Sequence, residues 1–165
     1  MKKILLRFGL PSILLLALAV VAIADSPHFL YANTTVSSSG ALTVSFKEAG
    51  LGTGTTSVTI TVSVDTASAT YQCWNNGGNH PKAGNKETVS TSLTVNGTFP
   101  VRNGQTTASL TFGPPDQGSF SCPSGQSLFL EKVTYSGISV SDDFGTIGAA
   151  TPDPISGPAT HILIQ

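Results

Sequence analysis

Charge is what this chain has least of: 10% of its 165 residues are Asp, Glu, Lys or Arg. A nucleic-acid binder needs clustered cations to offset the phosphate backbone, and after Arg7 the nearest approach to a cluster is Lys82 with Lys86. The same scarcity excludes a coiled coil and a charged disordered tail. Cysteine is nearly absent as well. Cys73 and Cys122 form no C-x-x-C, and His28, His80 and His161 stand too far apart in the chain for metal-ligand spacing. No G-x-S-x-G elbow, H-E-x-x-H helix, phosphate-binding G-x-x-x-x-G-K-[ST] or EF-hand calcium loop occurs. The acids Glu48, Asp65, Glu87, Asp116, Glu131, Asp142, Asp143 and Asp153 are scattered, with no pair marked as flanking a cleft, and Asp142-Asp143-Phe144-Gly145 reads as an acidic turn. These absences argue against an enzyme and lead us to expect no cofactor and no metal.

What is there begins with an export layout. Lys2, Lys3 and Arg7 precede the apolar run Ile13 to Ile23, and the segment closes on Ala22-Ile23-Ala24. That run is shorter than the roughly 18 to 20 residues a membrane-spanning helix needs. Residues 1–24 are expected to be a cleaved signal peptide of bacterial character, leaving residues 25–165 as one secreted domain with no membrane contact. Cleavage leaves five basic residues against nine acidic ones, a net charge of −4. In an oxidising space two cysteines are expected to pair. A Cys73–Cys122 bridge closes a loop of 49 residues, worth roughly 4 kcal/mol by the chain-entropy argument.

Period-two alternation runs through the rest. Val58, Ile60, Val62 and Val64 alternate with Thr59, Thr61 and Ser63, the pattern of a strand with one face buried and one in water. Leu42, Val44 and Phe46 repeat it, as do Val89, Leu93 and Val95, then Ala108, Leu110 and Phe112. Turns are expected at Ser39-Gly40, at Gly50 to Gly54 as a hairpin, across 75–85, and at Asn96-Gly97, Asn103-Gly104, Gly113-Pro114-Pro115 and Pro123-Ser124-Gly125. Further strands are expected at Ser127 to Tyr135, Gly137 to Ser141 and Ala159 to Ile164, with a Pro-rich irregular crossing over 149–158. About seven to nine short strands in one domain suit an antiparallel β-sandwich, with a closed barrel as the alternative.

Gly50-Leu51-Gly52 after Phe46-Lys47-Glu48, Tyr71-Gln72-Cys73, Gly77-Gly78-Asn79 before Pro81, and Ser121-Cys122-Pro123 resemble small exported, uncharacterised bacterial proteins. The resemblance implies an immunoglobulin-like sandwich and carries no activity with it. An antibody-type domain places a core Trp on a strand between its two cysteines, whereas Trp74 adjoins Cys73. If Ala69, Tyr71 and Cys73 face inward, then Thr70, Gln72 and Trp74 face outward.

The candidate contact set is Trp74 with Asn75, Asn76, Asn79, His80 and Lys82 in the loop that follows. An indole face takes the C–H side of a sugar ring while amides and a cation bond its hydroxyls. The plainer alternative is that Gly77-Gly78 makes the turn and the Asn side chains cap their own backbone. The expected function is a non-enzymatic binding or cell-surface module, its partner a polysaccharide or a cell-surface protein. A self-associating envelope protein joined edge to edge is the alternative, and a small secreted hydrolase the third. Asn33 and Asn96 match the N-x-[ST] acceptor pattern.

Overall fold

The computed structural model describes residues 26–75, 85–157 and 162–164, and the alternating segments become strands. In chain order these are β1 (His28–Val36), β2 (Leu42–Ala49), β3 (Ser57–Asn75), β4 (Lys86–Pro100), β5 (Gln105–Phe112), β6 (Gln126–Asp142), β7 (Ile147–Ala149), β8 (Ile155–Ser156) and β9 (Ile162–Leu163). The expected signal peptide lies outside the described residues. Among the described residues no helix is long and apolar enough to cross a membrane.

Two antiparallel sheets form, ordered β1-β2-β5 and β4-β3-β6-β7, with β8 and β9 also pairing β6. The alternation explains the layering. Leu42, Val44 and Phe46 of β2 face Val58, Ile60, Val62 and Val64 of β3 and Ile138 and Val140 of β6, all buried in one apolar cluster. Phe46 sits at its centre, edge-on to Phe29 at 6.4 Å and to Phe99 at 5.5 Å. The open sides of the sandwich are bridged. On one side β4 turns into β5 through Asn103 (φ 51°) and Gly104 (φ 69°), two successive left-handed residues as a tight hairpin turn requires. On the other, β1 bonds the segment after β7, with Thr34 N–H donating to Thr151 O at 2.8 Å and Thr151 N–H to Ala32 O at 2.9 Å.

β3 and β6 are about twice as long as β2 and run past the small sheet. Both change phase at the same place. Val64 and Ala67 face inward on β3, with Asp65 and Thr66 between them, while Tyr135 and Ile138 do so on β6, so the strands stay paired through the irregularity. Gly137, with φ +66°, lies against Asp65, and Asp153 accepts from Gly137 N–H and Ile138 N–H at 3.1 and 2.9 Å. Beyond this kink the inner face carries a smaller cluster of Ala69, Tyr71 and Leu130, packed by Phe120, Leu128, Ile162 and Ile164. The connection between β5 and β6 covers it, fastened by the Cys73–Cys122 disulfide (Cα–Cα 5.5 Å) and by Tyr71 O–H donating to Pro115 O.

Three local expectations are corrected. Asn96-Gly97 is not a turn but lies inside β4, because a bare Gly97 leaves room for the ring of Phe99 and for Leu110. Gly50 to Gly54 is not a hairpin; it carries the chain from one sheet to the other, with Leu51 buried beneath it. The two strands expected on either side of Gly137 are one, since Gly137 accommodates the kink without breaking the ladder.

Candidate functional site

Trp74 lies where alternation places it. Cys73 is fully buried, and Trp74 is on the opposite, outer face, half-buried. Its indole N–H donates to Glu131 Oε1 at 2.5 Å, and its ring meets Phe129 edge-on at 6.3 Å. Glu131 reaches it because β6 carries an extra residue where Thr70 pairs Lys132 and Tyr71 pairs Leu130. Asn75, exposed, ends the strand. Asn76, Asn79, His80 and Lys82 lie outside the described residues.

From Trp74 the outer face of the large sheet continues as a field of short polar side chains. Register aligns Thr88 with Thr70, Ser90 with Ser68 and Thr134, Thr94 with Ser63 and Ser139, Asn96 with Thr61 and Ser141, and Thr98 with Thr59. Adjacent hydroxyls bond one another across strands: Thr70 with Thr88 at 3.1 Å, Ser68 with Ser90 at 3.1 Å, and Thr59 with Thr98 at 3.2 Å. Each such pair uses one of its two O–H donors, so the rows still offer both a donor and acceptors outward.

A second constellation sits at the far end of the sheet, between the layers. Glu48 continues the inward phase of Leu42, Val44 and Phe46, and Asp142 continues that of Ile138 and Val140. Glu48 is 0% exposed, and two carboxyls from opposite sheets therefore meet in the core. As carboxylates they have nothing to donate to each other, and Glu48 Oε1 and Oε2 and Asp142 Oδ2 find no other donor. A proton on Glu48 resolves this by bonding it to Asp142. Burial, then that hydrogen bond, then the negative charges of Asp142 and Asp143, push the Glu48 carboxyl up to about 8. Burial acts to raise Asp142 too, but hydrogen bonds from Glu48, Thr146 and Phe144 outweigh it and hold Asp142 below its ordinary value.

The acids read as scattered thus include one pair that meets between the sheets, Glu48 buried and Asp142 partly so. The signal was available: each acid stands two residues beyond an alternating apolar row, in the inward phase. The chemistry of the pair is to hold one proton between the sheets. Among the described residues no group of three or more His, Cys, Asp or Glu is placed to hold a metal ion. No family model, curated protein or solved structure matches the chain.

Proposed function

We propose that the chain is an exported, non-enzymatic immunoglobulin-like sandwich that binds neutral polysaccharide along the outer face of its large sheet, with Trp74 as the aromatic contact. The observation that carries this reading is the continuity of the face. One outward Trp, held in place by Glu131 and Phe129, stands at the end of cross-bonded Ser and Thr rows, among which Lys86 opposite Gln72, Lys132 opposite Thr70 and the exposed Asp65 are isolated charges of both signs. Such a surface offers a π face for sugar C–H groups and uncharged hydroxyls for sugar hydroxyls. The disulfide supports export, since such bonds persist in oxidising compartments. The strand order supports the fold name. Lettering the first seven strands A to G, the sheets are A-B-E and D-C-F-G, which differ from the constant immunoglobulin arrangement in the sheet that holds strand D. Resemblance to small exported bacterial proteins points the same way.

The test is retention of the purified protein on insoluble neutral polysaccharide. Trp74→Ala is expected to lower retention at least about tenfold, the loss of one stacked aromatic contact. Unchanged retention sinks the reading.

One observation favours a second reading, self-association. β4 runs 15 residues and, among the described residues, its ladder partner is β3 alone, so within them its other edge has no strand paired to it. Concentration-dependent dimers in size-exclusion chromatography would favour it, and a strict monomer would discard it.

A further inference from the structure

The geometry points to an oxyanion-binding cleft on the small sheet, remote from Trp74, that takes a carboxylate, sulfate or phosphate group. The cleft, of about 340 Å³, is lined by Lys47, Pro100, Arg102, Gln105, Thr106 and Thr107. Arg102 and Gln105 flank the β4–β5 turn and are bonded to each other both ways, Arg102 N–H to Gln105 O at 2.8 Å and Gln105 N–H to Arg102 O at 3.1 Å. Lys47 lies opposite Thr107 in the β2–β5 ladder, and both are on the outer row because their neighbours Phe46, Glu48 and Thr106 are buried. Two rigid strands and a tight turn therefore hold the lining in place.

Charge makes the cleft distinctive. The described residues include four Lys or Arg, namely Lys47, Lys86, Arg102 and Lys132, and two of them meet here. No carboxylate lines the cleft, although acids outnumber cations in the described residues, and Glu48, next to Lys47 in sequence, points into the core. Two cations facing one space repel, and an anion between them relieves that repulsion. The guanidinium presents a planar fork that matches a carboxylate, sulfate or phosphate edge, and the ammonium adds a point charge. The Gln105 amide and the Thr107 hydroxyl supply neutral donors beside them. The volume is near the lower end of the roughly 300 to 1,000 Å³ of small-molecule sites, which suits one acidic sugar ring or a free anion and not a long apolar ligand.

Isothermal titration of the purified protein with sodium sulfate, sodium phosphate, a galacturonate trimer and, as a neutral control, cellotriose tests this at about 20 and about 200 mM salt. Saturable binding of one or more anions, weakened by salt, is expected, while any heat from cellotriose is unchanged by Arg102→Gln. Arg102→Gln and Lys47→Gln are each expected to weaken it about tenfold, as loss of a charge-assisted hydrogen bond does, while Lys132→Gln and Trp74→Ala leave it unchanged. Preference for galacturonate identifies an acidic polysaccharide as the source of the anion, and equal binding of sulfate or phosphate identifies a free ion. Either supports the cleft. Absence of binding by all three anions, or equal weakening by Lys132→Gln, overturns it. Because polysaccharide retention is scored with Trp74→Ala and anion binding with Arg102→Gln, either proposal can fail alone.

Discussion

From Ser57 to Ala67, β3 packs against the small sheet; from Ala69 to Asn75 it runs out beyond it. The first half is covered by a second layer whose residues interdigitate with its own, and its core contains Phe46, Leu42, Leu51 and a row of Val and Ile. The second is covered by a connection without strands, and its buried cluster has three members, Ala69, Tyr71 and Leu130. Only there does the chain use a covalent bond. Where a second sheet supplies apolar area, burial is enough; where a loop must serve as the lid, a disulfide and a tyrosine hydrogen bond hold the lid down.

The largest expected effect lies in the sandwiched half. Phe46→Ala removes a fully buried ring that touches two others, and about 3 to 5 kcal/mol of global stability should go with it, read by urea unfolding. Next comes the overhanging half. Replacing Cys73 and Cys122 together by Ser should cost about 2 to 4 kcal/mol. Hydrogen exchange should then accelerate over Ala69 to Asn75 and over 113–125 while protection of Val58 to Val64 persists. Equal loss of protection in both halves would mean that they unfold as one unit and that the division drawn here is only geometric.

This division was half legible in the sequence. The inward rows of β2, β3 and β5 could be read because one face is dry and the other wet, and period two records that difference. The disulfide was legible from two cysteines downstream of a segment with the layout of an export signal, and the outward aim of Trp74 from its place beside Cys73. Which strands share a sheet was not legible, since Gly50 to Gly54 makes the same local signal whether the chain doubles back or crosses over. Asn96-Gly97 misled because its glycine serves packing against Phe99 and not a turn. The acid pair was hidden by its long-range nature: Glu48 and Asp142 lie far apart in the chain, and only the opposition of the two layers brings them together.

That pair closes the sandwiched half at the end away from the disulfide, and it makes stability depend on pH. Glu48 has its folded value raised to about 8 from an ordinary 4.5, so the folded state binds more protons than the unfolded one between those limits. Its contribution is fully present below about 4.5 and is lost as pH rises through about 8, with a slope of at most about 1.4 kcal/mol per pH unit. Asp142, held below its ordinary value, works in the opposite sense: its contribution is present above the unfolded value and is lost as pH falls through the folded one. Together they place the optimum on the mildly acidic side. Glu48→Gln keeps a donor toward Asp142 and removes the titration, so its melting temperature should stay level from pH 5 to 9 where the parent declines. A parent that declines no more than this variant would show that no proton is held there.

The smallest effect separates stability from binding. Exposed hydroxyl pairs contribute little to folding, so Thr70→Val with Thr88→Val on the overhanging half, and Thr43→Val with Thr111→Val on the small sheet, should each move stability by less than about 0.5 kcal/mol. Their effects on polysaccharide retention should differ. The first pair lies on the same outer face as Trp74 and its loss should reduce retention; the second lies on the other sheet and should leave it alone. The overhanging half would then be the part of the fold that needs a covalent fastening because its outer face is held out for contact. If both pairs reduce retention equally, the hydroxyl content of the surface matters more than the face that carries Trp74, and the link between the disulfide-fastened half and binding is lost.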